Sequence, residues 1–183
     1  MEEIFAICYT GPMTTSLYTI TIPPFIKALT NLSSCLDKAV AFAEAKKFDP
    51  QTLLQSRLAP DQFPLVRQVQ SASDAAKGFA ARLNGQEIPS IADAETTIEE
   101  LKGRIAKTID ILKMIKPEDV DGKEDVSNIK LPYLPGMLTG FDYVIGLTIP
   151  NFYFHVVTAY AILRHNGVDI GKTDYIGSLD IIV

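Results

Sequence analysis

The sequence predicts an all-α protein, specifically an antiparallel up-down-up-down four-helix bundle, and three observations support that fold class. Four segments of about 20 residues or more place apolar side chains at steps of three and four, the spacing of one helix face. No segment between them alternates apolar and polar residues as a half-buried strand would. Proline, glycine and helix-capping residues separate the four segments. Each such helix has one apolar face to bury, which favours a bundle.

The first helix is predicted over residues 15–46, with Pro23 and Pro24 in its first turns predicting a kinked start or a separate turn before them. Asp49 followed by Pro50 combines an N-cap residue with a proline at the first helical position, so a short extra helix is expected through about Ser56. The apolar positions that define the first helix are Ile22, Phe25, Ile26, Leu29, Leu32, Leu36, Ala39, Val40 and Ala43.

The second helix is predicted to open at Pro60 and to end at Asn84-Gly85, where the glycine supplies a left-handed cap. A polar stretch then leads to the third helix. Thr96 and Glu99 have the spacing of a capping box, so we expect this helix to begin there and to end before Pro117.

The last long helix is predicted over residues 140–165, with a cap signal at Thr139 and Asp142, a bend at Pro150 and a closing glycine at Gly167. The irregular segment before it, 117–137, is too polar and too interrupted for a core helix, although residues 129–134 are expected to run extended beside the bundle. The tail after Gly167 is expected to pack along the outside. The longer connections leave room for one crossover, and the up-down-up-down order is the simplest topology.

The chain length of 183 residues fits one domain. We predict a single helical domain over residues 13–183, preceded by a loosely attached extension over residues 1–12. The other reading, in which the first twelve residues belong to the folded domain, stays open.

Composition excludes several classes of partner. The net charge of −5 argues against nucleic acid, whose phosphates require a basic surface, and no polybasic patch suggests a membrane surface. The short apolar run near the N-terminus follows acidic residues and is too short to span a bilayer. Cys8 and Cys35 are too few for a disulfide framework, and the helical spacing of Cys35 predicts a buried, reduced thiol. A cytoplasmic location is therefore expected.

Two polar residues of the last helix form the candidate site. Asn151 and His155 lie four residues apart on a helix face that otherwise looks apolar, so both are predicted to be buried. A buried polar group without a partner costs roughly 1–3 kcal/mol, so a neighbouring helix, water, a ligand or a metal ion must satisfy them. The simplest alternative is a core histidine bonded to Asn151, a tyrosine or a backbone carbonyl. The other histidine, His165, is expected to stabilise the end of the helix through its dipole.

Two stretches resemble a known family. "NFYFHVVTAYAILRHNGVDIGKTDYIG" is similar to the last bundle helix of the DinB/YfiT-like metalloenzyme superfamily. Together with "RLAPDQFPLVRQVQSASDAAKG", it resembles that superfamily's uncharacterised domain-of-unknown-function branch, found in bacteria and fungi. The resemblance covers residues 13–177 and implies the DinB/YfiT-like bundle, but it implies no assigned activity.

Metal-binding relatives in this superfamily use three histidines, one from the second helix and two spaced i, i+4 on the fourth, with a position left open for water. The resemblance places His155 on the second of that pair and Asn151 in the place of the first, and the second helix carries no histidine. It therefore implies a degenerate metal site, and we expect no cofactor and no tightly bound zinc. The alternative is a weaker divalent ion held by His155 and Asp74.

Two functional classes follow. In the first, the protein binds a small molecule in a pocket of the bundle core, with His155 as a general acid/base and Asn151 orienting it. The alternative is a non-catalytic, dimeric helical interaction module without a ligand; a homodimer is expected in either case. The sequence selects no substrate and does not decide whether the protein is an enzyme. A cavity of a few hundred Å³ reaching His155 would favour the first class. The candidate ligand-binding residues are Asn151, His155, Gln70, Asp74 and Tyr160.

Overall fold

The structure is a computed structural model that describes residues 16–126, 129–131 and 135–179. The expected extension over residues 1–12 lies outside the described residues. A π-helical segment, Asp142–Thr148, leads directly into the fourth α-helix, and 3₁₀ turns cover Pro50–Gln55 and Pro117–Asp119. Two short strands, β1 (Ile129–Lys130) and β2 (Met137–Leu138), pair antiparallel. Strand β1 lies in the segment 129–134 that was expected to run extended, whose residues 132–134 lie outside the described ranges, and β2 was not predicted. The α-helices are α1 (Leu17–Lys46), α2 (Leu65–Leu83), α3 (Ile98–Met114), α4 (Ile149–His165) and α5 (Lys172–Ile176).

Local caps explain most of the helix ends. The Ser16 hydroxyl accepts a hydrogen bond from the Thr19 N–H at 3.0 Å and starts α1, which runs through Pro23 and Pro24 as one helix. Gly85 and Gly167 have φ values of +62° and +92°, so glycine closes α2 and α4 in the left-handed conformation, as predicted.

Helix α2 begins at Leu65, and the prediction that it opens at Pro60 was wrong. Pro64 lies between the two positions and adopts an extended conformation at the N-cap. A proline pushes the residue before it out of the helical region, so a helix that started at Pro60 would break at Phe63. A helix that starts after Pro64 loses no internal hydrogen bond.

The capping box of α3 lies one residue later than predicted, at Thr97 and Glu100. The Thr97 hydroxyl accepts from the Glu100 N–H at 3.1 Å, and the Glu100 carboxylate accepts from the Thr97 N–H at 3.1 Å. Because residues 96 and 97 are both threonine and residues 99 and 100 are both glutamate, the sequence is compatible with a capping box at either position. The observed register leaves the Ile98 N–H free to donate to the Gln51 side chain at 2.7 Å, which joins α3 to the 3₁₀ turn.

Helices α2 and α3 run parallel. Near the middle of each helix, Arg104 on α3 contacts Asp74 on α2 at 2.8 Å. At the C-terminal ends, the Asn84 side chain after α2 donates to the Asp119 carbonyl just beyond α3 at 2.7 Å. The connection 84–97 therefore returns along the bundle. Its 14 residues can span about 45 Å when extended, whereas α3 is about 25 Å long.

Helix α1 is antiparallel to α3. Ser16, which precedes α1, donates to Asp121 after the end of α3 at 3.0 Å, and Lys102 near the start of α3 pairs with Asp37 at 2.7 Å. Helix α4 and the segment before it are antiparallel to α2, because His155 meets Gln68 and Tyr143 meets Arg82. The four long helices therefore have the order up-down-down-up. The predicted up-down-up-down order is not the order in the structure, because the connection between α2 and α3 spans the bundle instead of turning at one end.

The core lies between α1, α2 and α4, where the rings of Phe25 and Phe152 stack at 4.0 Å and Phe79 meets Phe25 edge-on at 5.8 Å. Cys35 is buried, as predicted. Burial, with a smaller contribution from the negative charge of Asp174, raises the pKa of its thiol to about 11, so the thiol is protonated at neutral pH.

Part of the tail after Gly167 forms α5, which packs along α1 on the outside of the bundle, whereas Val168 and Ile170 are buried in the core. The Asn31 side chain on α1 donates to the Tyr175 carbonyl at 2.9 Å, and Lys38 pairs with Asp174 at 2.6 Å. These contacts attach α5 to α1, and residues 180–183 lie outside the described ranges.

The π-helical segment and α4 together, Asp142–His165, are long and apolar enough to cross a membrane by length and composition alone, with a mean hydropathy of 1.2. The apolar core helix of a helical bundle can meet the same criterion of length and composition. Helix α4 packs against α1 and α2 on one side, which explains the apolar residues of that side, and 33% of the most apolar stretch is buried.

Candidate functional site

A cavity of about 250 Å³ lies between α2 on one side and the π-helical segment with α4 on the other. Three of the predicted site residues, Asp74, Asn151 and His155, line it together. The full lining is Ser71, Asp74, Ala75, Arg82, Leu131, Tyr143, Leu147, Thr148, Asn151 and His155.

The π-helical segment lies immediately before Pro150, where the sequence predicted a bend. At its end, the Ile149 N–H bonds to the Val144 carbonyl five residues earlier, which is the π-helical spacing. Pro150 has no N–H to donate, so a regular α-helical ladder would be interrupted here in any case. The wider turns change the direction of the following side chains, and Leu147, Thr148 and Asn151 line the cavity. Such π-helical insertions are frequent at functional sites.

His155 is held by a glutamine on the facing helix. Its Nδ1 lies 2.7 Å from the Gln68 Oε1, and the Gln68 Nε2 donates to the Phe63 carbonyl at 3.0 Å. That second bond sets the orientation of the amide, so an oxygen faces the imidazole and Nδ1 must carry the hydrogen. Nε2 then keeps its lone pair, and among residues 16–126, 129–131 and 135–179 it has no hydrogen-bond partner.

The imidazole is neutral at physiological pH. Burial lowers the pKa of His155 below its ordinary value, and the nearby positive charge of Arg67 lowers it further. A half-buried, neutral histidine with Nδ1–H engaged can accept a proton or a hydrogen bond at Nε2.

Asn151 does not form the buried pair with His155 that the sequence suggested. Its side chain is exposed, and no hydrogen bond joins it to His155 in the described part of the chain. The reason is the rotation of α4: Phe152, Val156 and Ala159 face the core. Gln68 instead orients the imidazole.

Asp74 connects the cavity to a buried charge network. Its Oδ1 lies 2.8 Å from both the Arg104 guanidinium and the Lys77 ammonium. The fully buried Arg104 side chain also contacts Asp93 and Glu95, each at 3.0 Å, in the connection between α2 and α3. The negative charge of Asp74 is thus compensated within the protein.

Arg82 and Tyr143 line the cavity, and the sequence analysis did not identify Arg82. The Arg82 Nη1 donates to the Tyr143 hydroxyl at 3.0 Å, which joins the end of α2 to the π-helical segment. The Arg82–Tyr143 pair lies at the C-terminal end of α2, and the Gln68–His155 pair lies near its N-terminal end. Because Tyr143 precedes His155 in the chain, the π-helical segment and α4 run antiparallel to α2. A sequence signal was present: Gly78, four residues before Arg82, is a glycine inside a helix, where it costs about 1 kcal/mol relative to alanine and needs a reason.

Gln70 and Tyr160, two of the predicted ligand-binding residues, do not line the cavity. The Gln70 Nε2 donates to Glu95 at 2.8 Å, so this side chain joins the charge network beside α3. The Tyr160 ring packs edge-on against Tyr175 of α5 at 5.8 Å. The faces of α2 and α4 that meet each other decide which side chains converge on the cavity.

The donors in the cavity do not fit the three-histidine metal site of the superfamily. His155 offers only Nε2, Asn151 offers a neutral amide, and Asp74 is already bound by two cations. The α2 residue that meets His155 is Gln68. In the described ranges no three His, Cys, Asp or Glu residues are grouped so that they could hold a metal ion. His165 lies exposed in the last turn of α4, away from the cavity lining.

Comparisons with known proteins support the resemblance. The model of the family described as "Domain of unknown function (DUF1993)" matches residues 17–176. The crystal structure of a DinB family member protein from Shewanella denitrificans is 46% identical to the chain, with a TM-score of 0.86 over 91% of this chain and 95% of that one. No curated protein matches the sequence.

Proposed function

We propose, starting from the fact that the chain belongs to the DUF1993 family, that it binds a small molecule in the cavity between α2 and α4 and uses His155 as a general base or hydrogen-bond acceptor. The observation that carries this proposal is the state of His155. A neutral imidazole lines the cavity with Nδ1 bonded to Gln68, and none of the described residues occupies Nε2.

The chemistry of the imidazole suits proton transfer. Proton acceptance is most effective when the base is deprotonated at the working pH and its orientation is set before the ligand binds. The lowered pKa of His155 supplies the first condition, and the chain of hydrogen bonds from Phe63 through Gln68 supplies the second.

The cavity suits a ligand of metabolite size. Its apolar wall consists of Ala75, Leu131 and Leu147, and hydroxyl or amide groups from Thr148 and Asn151 face the same space. Apolar walls with a few polar groups are typical of small-molecule sites. Since the donor set does not match a catalytic zinc, we propose that the metal site of the superfamily is degenerate here and that the ligand binds to protein groups alone.

The experiment is a fragment screen by ligand-observed NMR on the full chain, repeated with His155→Leu and, as a matched control, His165→Leu. We expect fragments that shift the amide signals of Tyr143, Asn151 and residue 155, with binding to His155→Leu lowered about tenfold or more, since one hydrogen bond to the ligand is lost and Gln68 is left unpaired. His165→Leu should bind like the wild type.

Two outcomes would reject the proposal. One is a screen in which no fragment shifts the cavity signals. The other is unaltered binding by His155→Leu together with a lowered melting temperature, which would assign His155 a structural role only.

A specific observation favours the second candidate, a dimeric interaction module. Phe154 and Val157 on the outer face of α4 are 56% and 45% exposed, and Phe63, whose carbonyl bonds to Gln68, is 52% exposed. Exposed apolar clusters of this kind often mark protein interfaces. The double substitution Phe154→Ser and Val157→Ser distinguishes the candidates: under the module, sedimentation shifts from dimer to monomer and the fragment screen is empty.

A further inference from the structure

We propose that the ligand of this cavity carries an anionic group, a carboxylate or a phosphate, which Arg82 and Tyr143 bind at the end of the cavity far from His155. This inference rests on the proposed binding function and adds the chemical class of the ligand.

The first argument is charge. Within the part of the chain that the structure describes, no carboxylate lies within ion-pair distance of Arg82, whereas the neighbouring Arg67 and Arg104 are both paired with acids. Asp74, the acidic residue on the cavity wall, is compensated by Arg104 and Lys77. The cavity therefore presents a positive charge without a counter-ion, although the chain as a whole has a net charge of −5. A half-buried guanidinium gains most from an anion that enters the cavity.

The second argument is hydrogen bonding. The Tyr143 oxygen accepts from the Arg82 Nη1 at 3.0 Å, and the Tyr143 side chain is almost fully buried. Its own O–H hydrogen has no acceptor among the residues that the structure describes. The guanidinium and this hydroxyl are thus two donors beside one another, which is the arrangement that binds the oxygens of a carboxylate or a phosphate.

The third argument is the glycine on α2. A Cβ at Gly78 would lie 2.9 Å from the Arg82 Nη1, so the guanidinium would have to move, whereas the Ile88 Cγ2 at 3.4 Å would be an ordinary contact. Gly78 lets the arginine side chain fold back along its own helix toward Tyr143. It is a positioning residue that acts through Arg82.

The distance between the two ends indicates an elongated ligand. The guanidinium lies at the level of Gly78, and His155 is held by Gln68, ten residues earlier on α2. Ten residues correspond to about 15 Å along a helix. A ligand with its anion at Arg82 extends toward His155 along the apolar wall formed by Ala75, Leu131 and Leu147.

The experiment compares hexanoate with hexanamide, which differ only in the charged group, and adds inorganic phosphate as a second anion. Affinities are measured by ¹⁵N NMR titration of the full chain. The variants are Arg82→Gln, Gly78→Ala and the control Arg164→Gln, which removes an exposed arginine on α4 that lies 3.8 Å from Asp169 and does not line the cavity.

We expect wild type and Arg164→Gln to bind hexanoate roughly tenfold more tightly than hexanamide, because a charge-assisted bond replaces a neutral one. In Arg82→Gln the ratio should fall to about one. In Gly78→Ala it should also fall while hexanamide affinity is unchanged, which a general loss of stability would not produce. Phosphate that binds in an Arg82-dependent manner and displaces hexanoate would identify phosphate as the preferred anion.

Equal affinity for hexanoate and hexanamide in the wild type, or a ratio unchanged by Arg82→Gln, would overturn the anion inference while leaving the cavity as a binding site for neutral molecules. If neither probe shifts the cavity signals and the fragment screen is also empty, the proposed function itself fails. If Gly78→Ala does not fold, Arg82→Gln still decides the matter.

Discussion

At the scale of single residues, the chemistry of His155 depends on a partner from another helix. The Gln68 amide accepts from Nδ1, and its own Nε2 donates to the Phe63 carbonyl, so this neutral amide selects one tautomer of the ring. Burial then keeps the ring neutral. A carboxylate in the place of Gln68 would favour the imidazolium instead, since an opposite charge stabilises the protonated form.

Gln68→Glu tests this arrangement. The change keeps the shape of the side chain, and we expect the pKa of His155, measured by NMR titration of its ring protons, to rise above the wild-type value. The exposed Gln86→Glu substitution beyond the end of α2 is the matched control and should leave that pKa where it is. An unchanged His155 pKa in Gln68→Glu would mean that the glutamine does not contact the ring in solution.

The lowered pKa of His155 also makes the free energy of unfolding depend on pH. Because the pKa is lower in the folded protein than in the unfolded chain, the unfolded state binds the proton first as the pH falls. The stabilising contribution of the neutral ring is complete above the unfolded pKa of about 6.5 and is lost as the pH falls through the folded value. In Gln68→Glu, with a pKa above that of the wild type, this acid-dependent loss of stability should be smaller.

At the scale of elements, short-range signals place the helices, and a tertiary contact selects the register. The segment before α3 has threonine at two successive positions and glutamate at two successive positions, so two capping boxes have the correct spacing. The structure uses Thr97 with Glu100, and the Ile98 N–H bonds to Gln51. The same logic applies to α2, where Pro64 overrides the start signal at Pro60.

Replacing the two threonines separately tests the register. Thr97→Ala removes the acceptor for the Glu100 N–H and should lower the free energy of unfolding by about 1 kcal/mol. Thr96→Ala removes only an exposed hydroxyl bond to Glu100 and should change it by less than about 0.5 kcal/mol. Urea denaturation measures both. A larger loss for Thr96→Ala would show that the cap is at the earlier position.

At the scale of the whole molecule, one buried arginine joins the parallel helices to the connection between them. Arg104 is fully buried and contacts Asp74 on α2 with Asp93 and Glu95 in the connection 84–97. Burial alone would raise the pKa of Glu95, but hydrogen bonds from Gln70 and Arg104 outweigh it and lower that pKa. The network holds the connection against α2 and α3 along its return path.

Arg104→Met should destabilise the protein strongly, because a side chain of similar length leaves Glu95 without its cation and removes one of the two cations that contact Asp74 and Asp93, which keep Lys77 and Arg67 respectively. We expect a loss of about 3 kcal/mol in the free energy of unfolding, the lower end of the range for broken buried ion pairs, since Asp74 and Asp93 remain partly exposed to water. The control Lys107→Met changes an exposed cation on the same helix and should have little effect.

The pH dependence of Arg104→Met gives a second measurement. The lowered pKa of Glu95 contributes stability that is present above the unfolded value of a glutamate and is lost as the pH falls through the folded value. That acid-dependent loss should be smaller in Arg104→Met. Equal stability of the variant and the wild type at neutral pH would show that the network does not hold the connection.

The site shows where sequence-based prediction stopped. Helical spacing identified His155 and Asn151, the family resemblance pointed to Asp74, and all three line the cavity. Neither argument identified Arg82, nor the pairs of Gln68 with His155 and of Arg82 with Tyr143, which join α2 to α4 or to the segment before it. Their sequence separations of 87 and 61 residues exceed any local pattern.

The sequence by itself determined the helical class, the approximate position of each long helix and the glycine caps at Gly85 and Gly167, because hydrogen bonds within a few residues and one apolar face per helix suffice for these features. Only the tertiary structure decided that α2 and α3 run parallel and that Gln68 meets His155. The faces that α2, α3 and α4 present are apolar enough to pack in more than one order. The direction of each helix is set by long-range contacts such as Arg104 with Asp74 and by a connection long enough to cross the bundle.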